Sequence, residues 1–340
     1  MDSALFTDLY ELTMAQSYLE NQKTGRAGFS LFVRRLPHER NFLVACGLKT
    51  LVEQVAKFRF VQDDIAYLRS LNKFSDTFLA YLSNYRFHGN IYAIPEGRIV
   101  FQNEPLIQVE GPLPDVQLLE TLVINLIHFQ TMIAAKAARN YLACQGKMLV
   151  DFGLRRAHMP MAGLYAARAA FIAGFDGTSN VEAGKQFGVP VFGTMAHSYV
   201  MAFDSEEEAF RSFIRSFPQG ALLLIDTYDT LAAARLVAKL GREGAPITGV
   251  RLDSGDIPSL ARGVRRIMDE AGLPQVKIFV SSGVDEYSIS QWLADGVPID
   301  AFGVGTHFIT SADKPYLDMA YKLTEYEGRP KWQTSTGKAP

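Results

Sequence analysis

Val189-Pro190-Val191-Phe192-Gly193-Thr194-Met195-Ala196-His197-Ser198 is a short apolar run of strand character that opens onto a glycine, a hydroxyl and then a histidine. On both sides of it the same alternation recurs. Met148 to Phe152, Ala173 to Asp176, Ala221 to Ile225, Ile247 to Leu252, Val276 to Val280 and Asp300 to Val304 are apolar or β-branched runs separated by helical spacing. The seven starts lie roughly 16 to 32 residues apart, the length of βα units. The pattern predicts an α/β domain whose parallel sheet forms an incomplete (β/α) barrel. A doubly wound open sheet is the alternative.

Upstream the pattern differs. Thr7 to Tyr18 reads as a helix, with Thr7 as a cap and Leu9, Leu12 and Ala15 or Gln16 at helical spacing; Tyr10 falls on another face. Ala27 to Val33 alternates like a strand and ends at Arg34-Arg35-Leu36-Pro37. Leu48 to Leu82 has helical apolar spacing, interrupted at Asp63-Asp64 and at Asn72. Arg86 to Val109 reads as strands and turns, and Gly111-Pro112-Leu113-Pro114 is the clearest boundary. Residues 1–114 are therefore expected to form an amino-terminal α+β domain, and residues 115–306 the barrel. Leu118 to Ala138 carries Glu120, Asn125, His128, Gln130 and Lys136, which predicts a buried helix rather than a membrane span, with His128 packed in a core.

Composition narrows the classes of function. The 340 residues are 48% hydrophobic and 21% charged, with a formal net charge of −2. No basic run points to nucleic acid or to an anionic membrane. Cys46 and Cys144 are too few and too isolated for a disulfide framework or a metal cluster. Acidic residues stand where a signal peptide has basic ones, in Met1-Asp2-Ser3-Ala4-Leu5-Phe6-Thr7-Asp8. A reducing cytosol is the expectation.

Ligands of parallel sheets sit at the carboxyl ends of the strands, and here those ends share a character. Asp151-Phe152-Gly153-Leu154-Arg155-Arg156 places two arginines after a glycine. Asp176-Gly177-Thr178-Ser179-Asn180 is rich in hydroxyls, and Asp226-Thr227-Tyr228-Asp229 presents carboxylates. In Arg251-Leu252-Asp253-Ser254-Gly255-Asp256 the period-two spacing puts Arg251 and Asp253 on one face. Ser281-Ser282-Gly283 and Gly303-Val304-Gly305-Thr306 are small-residue turns through which backbone N–H groups can approach a phosphate. Each motif alone has an ordinary structural explanation, and His197 taken alone reads as a satisfied loop histidine. Together they imply a site for a multiply phosphorylated substrate with magnesium. An aldolase-like barrel would want a lysine at a strand end, and none of these motifs has one.

Taken in order, TDLYELTMAQSY (7–18), DFGLRR (151–156), GTSN (177–180), GTMAHS (193–198), DTYD (226–229), GVRLDSGD (249–256), SSG (281–283) and FGVGT (302–306) resemble the nicotinate phosphoribosyltransferase family. The likeness runs from Thr7 to about Pro330. It implies an incomplete α/β barrel joined to a smaller α+β domain built from both chain ends, with residues 307–340 returning to the first. It also implies a reaction between nicotinate and 5-phosphoribosyl 1-diphosphate, coupled to ATP hydrolysis. His197 matches the phosphorylated histidine, with Asp226 as its candidate orienting partner. The pyridine ring would lie between Phe152 and Tyr10 of a second subunit, which implies a homodimer with shared sites. Arg251 and Thr194 would lie near nicotinate. Arg155, Ser282, Gly283, Gly305 and Thr306 would cradle the sugar diphosphate, and Asp253 would steer Mg²⁺ or the ribose hydroxyls. Family members usually continue past Lys338-Ala339-Pro340, so the resemblance also implies a short form or a fragment. Rival readings are a nicotinamide- or quinolinate-using relative and a non-catalytic nucleotide-binding sensor.

Overall fold

The computed structural model describes residues 3–281 and 283–333. Among them the strands are β1 (Arg26–Val33), β2 (Leu43–Val44), β3 (Asn90–Ala93), β4 (Ile99–Val100), β5 (Ile107–Pro112), β6 (Met148–Asp151), β7 (Gly177–Thr178), β8 (Ala221–Leu224), β9 (Ile247–Leu252), β10 (Lys277–Val280), β11 (Ala301–Val304), β12 (Met319–Tyr326) and β13 (Arg329–Pro330). The chain divides into two compact units, Met1–Ala135 with Lys314–Pro340 and Lys136–Asp313. The division thus falls inside the long helix Glu120–Ala143, later than the expected boundary at Gly111–Pro114. The prolines there do not mark a linker. They start the helix Leu113–Gln117, where a missing N–H is harmless.

The first unit is an antiparallel sheet of order β13-β12-β1-β5-β3, with β2 and β4 pairing separately. β12 arrives from the far end of the chain and pairs with β1 from Ala27↔Tyr326 to Val33↔Met319. β1 is buried on both faces from Ala27 to Val33, so the expected half-exposed alternation is not realised. It is the central strand of the sheet, and on the second face Gly28 and Ser30 are small enough to be buried with their neighbours. Tyr321 stacks on Phe29 at 4.8 Å and donates its hydroxyl to the Val116 carbonyl. Helices Leu48–Lys57, Gln62–Ser70 and Asp76–Ser83 replace the interrupted helical run. Asp63-Asp64 does not interrupt that run but opens its second helix, where carboxylates complement the helix dipole and Asp64 accepts from the Val61 N–H at 3.0 Å. The first helix is Leu9–Glu20, and its buried residues are Glu11, Leu12 and Ala15, not Leu9. His128 is half-buried, with Nε2 accepting from the Leu317 N–H at 2.8 Å, and burial lowers its pKa. The one described helical stretch long and apolar enough to cross a bilayer, Leu113–Ala143, has 67% of its most apolar window buried within the protein.

The second unit is built on a parallel sheet of order β7-β6-β11-β10-β9-β8, an incomplete barrel. Five of the seven expected runs are strands at their predicted places. The other two are displaced. Ala173 closes the helix Pro160–Ile172 and Gly174 turns the chain at φ 108, so the strand is delayed to Gly177–Thr178. Val189 to Phe192 makes a single bridge, Thr178↔Val191. Pro190 has no N–H to extend a ladder, although its carbonyl accepts from the Thr178 N–H at 3.0 Å. Beyond it the Thr194 hydroxyl donates to the Leu222 carbonyl on β8. This irregular stretch fills the seam between the two edge strands. Val150, Phe279 and Ala301 pack inside the curve of the sheet, against Met148, Phe152, Phe192 and Leu222.

Candidate active site

Because the six strands are parallel, the loops that follow them share one edge of the sheet. The loop after β6 is fastened from below by Asp151, which is fully buried. Its Oδ1 accepts from the Gly153 N–H at 2.7 Å and its Oδ2 from the Thr178 hydroxyl at 2.7 Å. One side chain therefore shapes the turn that carries Phe152 and Arg155 and ties it to the loop after β7. Burial pushes the Asp151 carboxyl up to about 6. Phe152 stacks on Phe279 at 5.4 Å, over Gly303 of β11. A Cβ at residue 303 would come within 2.7 Å of the Phe152 ring and 2.9 Å of the Phe279 ring, so only glycine leaves room for the pair.

His197 begins the helix His197–Met201, immediately after the irregular seam. Its Nδ1 lies 3.2 Å from the Thr227 hydroxyl, and its Nε2 lies 3.7 Å from Asp253 Oδ2. Asp226 is not its partner. Asp226 Oδ2 instead accepts from the Asp253 N–H at 2.9 Å and the Ser254 hydroxyl at 2.5 Å, which fixes the loop after β9. Successive residues leaving a strand point to opposite sides; Thr227 faces the histidine and Asp226 faces the neighbouring loop.

Arg251 is nearly buried at the end of β9. Nη1 donates to Asp253 Oδ1 at 3.1 Å and to the Ser281 hydroxyl at 2.9 Å, while Nη2 donates to the Met195 carbonyl at 2.8 Å. Its Nε is buried without a hydrogen-bond partner. Burial lowers its pKa, against the opposing pull of Asp253 and Asp226. Ser281 also donates to Asp253 Oδ1 at 2.5 Å. Arginine, aspartate and serine thus form one closed cluster, and Asp253 Oδ2 is left toward the histidine.

Two cavities flank the cluster. One, of about 310 Å³, is lined by Arg155, Arg156, Arg251, Asp253, Gly305 and Thr306, with Gly283, Val284 and His307 at its wall. The other, of about 600 Å³, includes His197, Ser179, Thr194 and Met195. Phe152, Arg155, Arg251 and Asp253 line both. The structure therefore brings the expected strand-end residues together on these two cavities, except Ser282 and Asp226, which lines neither and holds the loop after β9. Thr194 lines the larger cavity, but its hydroxyl is committed to Leu222. Ser282 lies outside the described residues. Tyr10 belongs to the first unit, where it is about half exposed on the helix Leu9–Glu20 and hydrogen-bonds Glu120; burial and that carboxylate raise its pKa. Sequence reasoning passed over Thr227, Ser281, Asp151, Arg156 and His307. Each stands within a quoted motif or next to one, which was the available hint.

The comparisons with known proteins agree with this geometry. A model of the nicotinate phosphoribosyltransferase amino-terminal domain matches residues 5–128, and the model of the nicotinate phosphoribosyltransferase family matches residues 148–339. A nicotinate phosphoribosyltransferase of Mycobacterium tuberculosis, pncB2, is 49% identical over 338 residues, covering 98% of this chain and 73% of the relative. The Bacillus subtilis nicotinate phosphoribosyltransferase is 41% identical, covering 95% and 67%. Among solved structures, human nicotinic acid phosphoribosyltransferase superimposes with a TM-score of 0.86 at 31% identity, over 96% of this chain and 75% of that one. Nicotinate-nucleotide pyrophosphorylase from Pyrococcus furiosus gives a TM-score of 0.79 at 28% identity, over 99% and 78%.

Proposed function

The chain belongs to the nicotinate phosphoribosyltransferase family, and from that premise we propose that it joins nicotinate to 5-phosphoribosyl 1-diphosphate, forming nicotinate mononucleotide and diphosphate in NAD salvage. The observation that carries the reading is the convergence of Arg155, Arg251 and Thr306 on one cavity, beside Asp253 and within reach of the pocket of His197. In the reaction the pyridine nitrogen forms a bond to ribose C1 as the bond from C1 to the diphosphate oxygen breaks. Charge accumulates on the departing diphosphate, and preorganised cations are the most effective way to stabilise it. The nucleophile needs no general base, because its lone pair is already free. A carboxylate on the ring calls for a charge-assisted donor, and Arg251, which lines both cavities, is the guanidinium at hand, while Phe152 offers a face for stacking. The second face we assign to Tyr10 of another copy of the chain, in a homodimer with shared sites.

Mg²⁺ belongs to this reading as a companion of the diphosphate. Among the described residues no group of three or more His, Cys, Asp or Glu side chains could hold a metal unaided. Mg²⁺ is ordinarily held by one or two carboxylates together with substrate phosphates. Asp253, lining both cavities, fits that role, with Arg251 close enough to balance its charge. When bound, the ion neutralises charge on the leaving group.

We further assign His197 as the acceptor of the γ-phosphoryl group of ATP. With Nδ1 held by Thr227, Nε2 attacks phosphorus, an N–P bond forms and the bond to ADP breaks; water later returns the phosphate. A cytosolic setting goes with this chemistry and with the free buried thiols of Cys46 and Cys144. The test is mononucleotide formation from nicotinate, nicotinamide and quinolinate, each with and without ATP. Synthesis from nicotinate that ATP stimulates is expected. His197→Ala should keep a residual ATP-independent rate and lose the stimulation. Preference for either other pyridine, or no turnover of any of the three, rejects the assignment.

A further inference from the structure

Resting on the reading of a phosphoribosyl donor in the smaller rim cavity, we propose that His307 is a substrate-binding residue whose imidazolium, braced by Asp285, grips a phosphate group of that donor. His307 follows Gly305 and Thr306 directly, in the first turn of the helix Thr306–Ile309. It lines the cavity of about 310 Å³ together with Arg155 and Arg156. Nδ1 lies 3.3 Å from Asp285 Oδ2, and the side chain is 50% exposed. The ring makes no other polar contact among the described residues.

The brace is rigid. Asp285 is the N-cap of the helix Glu286–Ala294, where its Oδ1 accepts from the Tyr287 N–H at 3.1 Å and the Ser288 N–H at 2.8 Å. That leaves Oδ2 for the imidazole. Burial alone would raise the Asp285 pKa, yet the hydrogen bonds from Ser288 and the neighbouring His307 hold it below the usual carboxylate range. An ionised Asp285 takes the proton on Nδ1. In a neutral ring so held, Nε2 is a bare lone pair, which repels a phosphate oxygen. Only the imidazolium carries an N–H at Nε2, so gripping a phosphate here means binding a proton with it. The charged groups around the ring are Asp285 on its own side, Arg155 and Arg156 on the turn after β6, and Arg251 and Asp253 at the end of β9. Arginines stay charged at every working pH, so the ring supplies the pH response of phosphate capture. The second ionisation of a phosphate monoester, near pH 6, is common to all variants and cancels in the comparison.

The donor carries two phosphate sources, its 5′-phosphate and its diphosphate, and separate probes distinguish them. Titration calorimetry of the full chain with ribose 5-phosphate and with inorganic pyrophosphate, at pH 6.0 and 8.5, is compared for the wild type, His307→Gln and His307→Arg. At the lower pH His307→Gln should bind one probe about tenfold more weakly than the wild type, and at the higher pH within about twofold. His307→Arg should keep the low-pH affinity at both. A loss confined to ribose 5-phosphate puts the imidazolium on the 5′-phosphate, and one confined to pyrophosphate puts it on the leaving group; either supports the assignment. The assignment is overturned if His307→Gln matches the wild type for both probes at pH 6.0, if His307→Arg loses as much as His307→Gln, or if the wild type takes up neither probe. A purely structural role would lower the melting temperature without this pH signature. The titration uses no pyridine, so a wild type that binds phosphate yet makes no mononucleotide overturns the enzymatic reading and leaves this one standing.

Discussion

The parallel sheet has two mouths, and the one with the larger single cavity has less chemistry. At the amino ends of the strands a cavity of about 840 Å³ is walled by Met148, Phe192, Phe213, Phe217, Leu222 and Phe279. Its charges sit at strand starts, and two of them neutralise each other, Lys277 and Asp300 at 3.3 Å. The carboxyl mouth divides its space between two smaller cavities, yet Arg155, Arg251 and Asp253 face both of them. The difference teaches that volume records where bulky apolar side chains leave room, whereas convergent charge records where a ligand is held. Parallel strands make the two edges unlike, because each carboxyl end leads toward a helix amino terminus, with its free N–H groups and positive dipole end.

The largest expected effect lies at the carboxyl mouth. Asp253→Asn keeps the shape of the side chain but removes the charge shared by Arg251, Ser281 and His197. Steady-state kcat/KM for mononucleotide formation should fall by about 10²- to 10³-fold. A fall of less than fivefold would mean that the charge cluster is scaffolding and that the comparison of the two mouths has been misread.

Next in size is a pH effect on stability, from the carboxylate that underlies this mouth. Burial raises the Asp151 carboxyl from 3.8 to about 6. A carboxyl whose folded pKa is raised favours the folded state in its protonated form. Its contribution is therefore complete below about pH 4 and is lost as pH climbs through about 6, a difference on the order of 3 kcal/mol at 1.36 kcal/mol per unit. Asp151→Asn removes the titration. In urea unfolding, the stability at pH 4 minus that at pH 7 should be lower in the variant than in the wild type by about 2–3 kcal/mol; equal differences in the two proteins would place the buried charge elsewhere.

Much of this contrast was legible in the residues. Parallel strands covered on both faces read as unbroken apolar runs, which is why β6, β8, β9, β10 and β11 fell where expected. The two displaced runs failed for local reasons that apolar counting does not weigh. Gly174 could end a helix as well as precede a strand, and Pro190 silently removed a donor. In the site, Arg251 and Asp253 were paired correctly because both lie on one side of a period-two stretch. The partner of His197 was missed by one residue. Whether Asp226 or Thr227 faces the histidine depends on where β8 ends, and a shift of one position reverses the side. Hydroxyls such as Thr227 and Ser281 are too common in loops to stand out before coordinates place them.

That one-residue correction carries the third prediction. If Thr227 holds Nδ1 of His197, Thr227→Val leaves the ring free to turn while keeping its volume. Stimulation by ATP should drop about tenfold, with the ATP-independent rate kept within about twofold. Asp226→Asn should instead depress both rates together, because it loosens the loop that carries Asp253. The opposite pattern would restore Asp226 as the orienting group.

The smallest effect is expected at the amino mouth, and it is the sharpest check on the contrast. Phe217 is 53% exposed there, and Lys277 has its ammonium in solvent beside Asp300. Exposed ion pairs contribute little, and neither residue touches the charge cluster. Phe217→Ser and Lys277→Met should each change kcat/KM by less than about twofold. The two mouths nonetheless have a common wall, since Phe152, Gly193 and Thr194 line the large cavity as well as the pocket of His197. A tenfold loss from either substitution would therefore mean that the packing of the lumen is felt through Phe152, and the two ends of the sheet would have to be treated as one device.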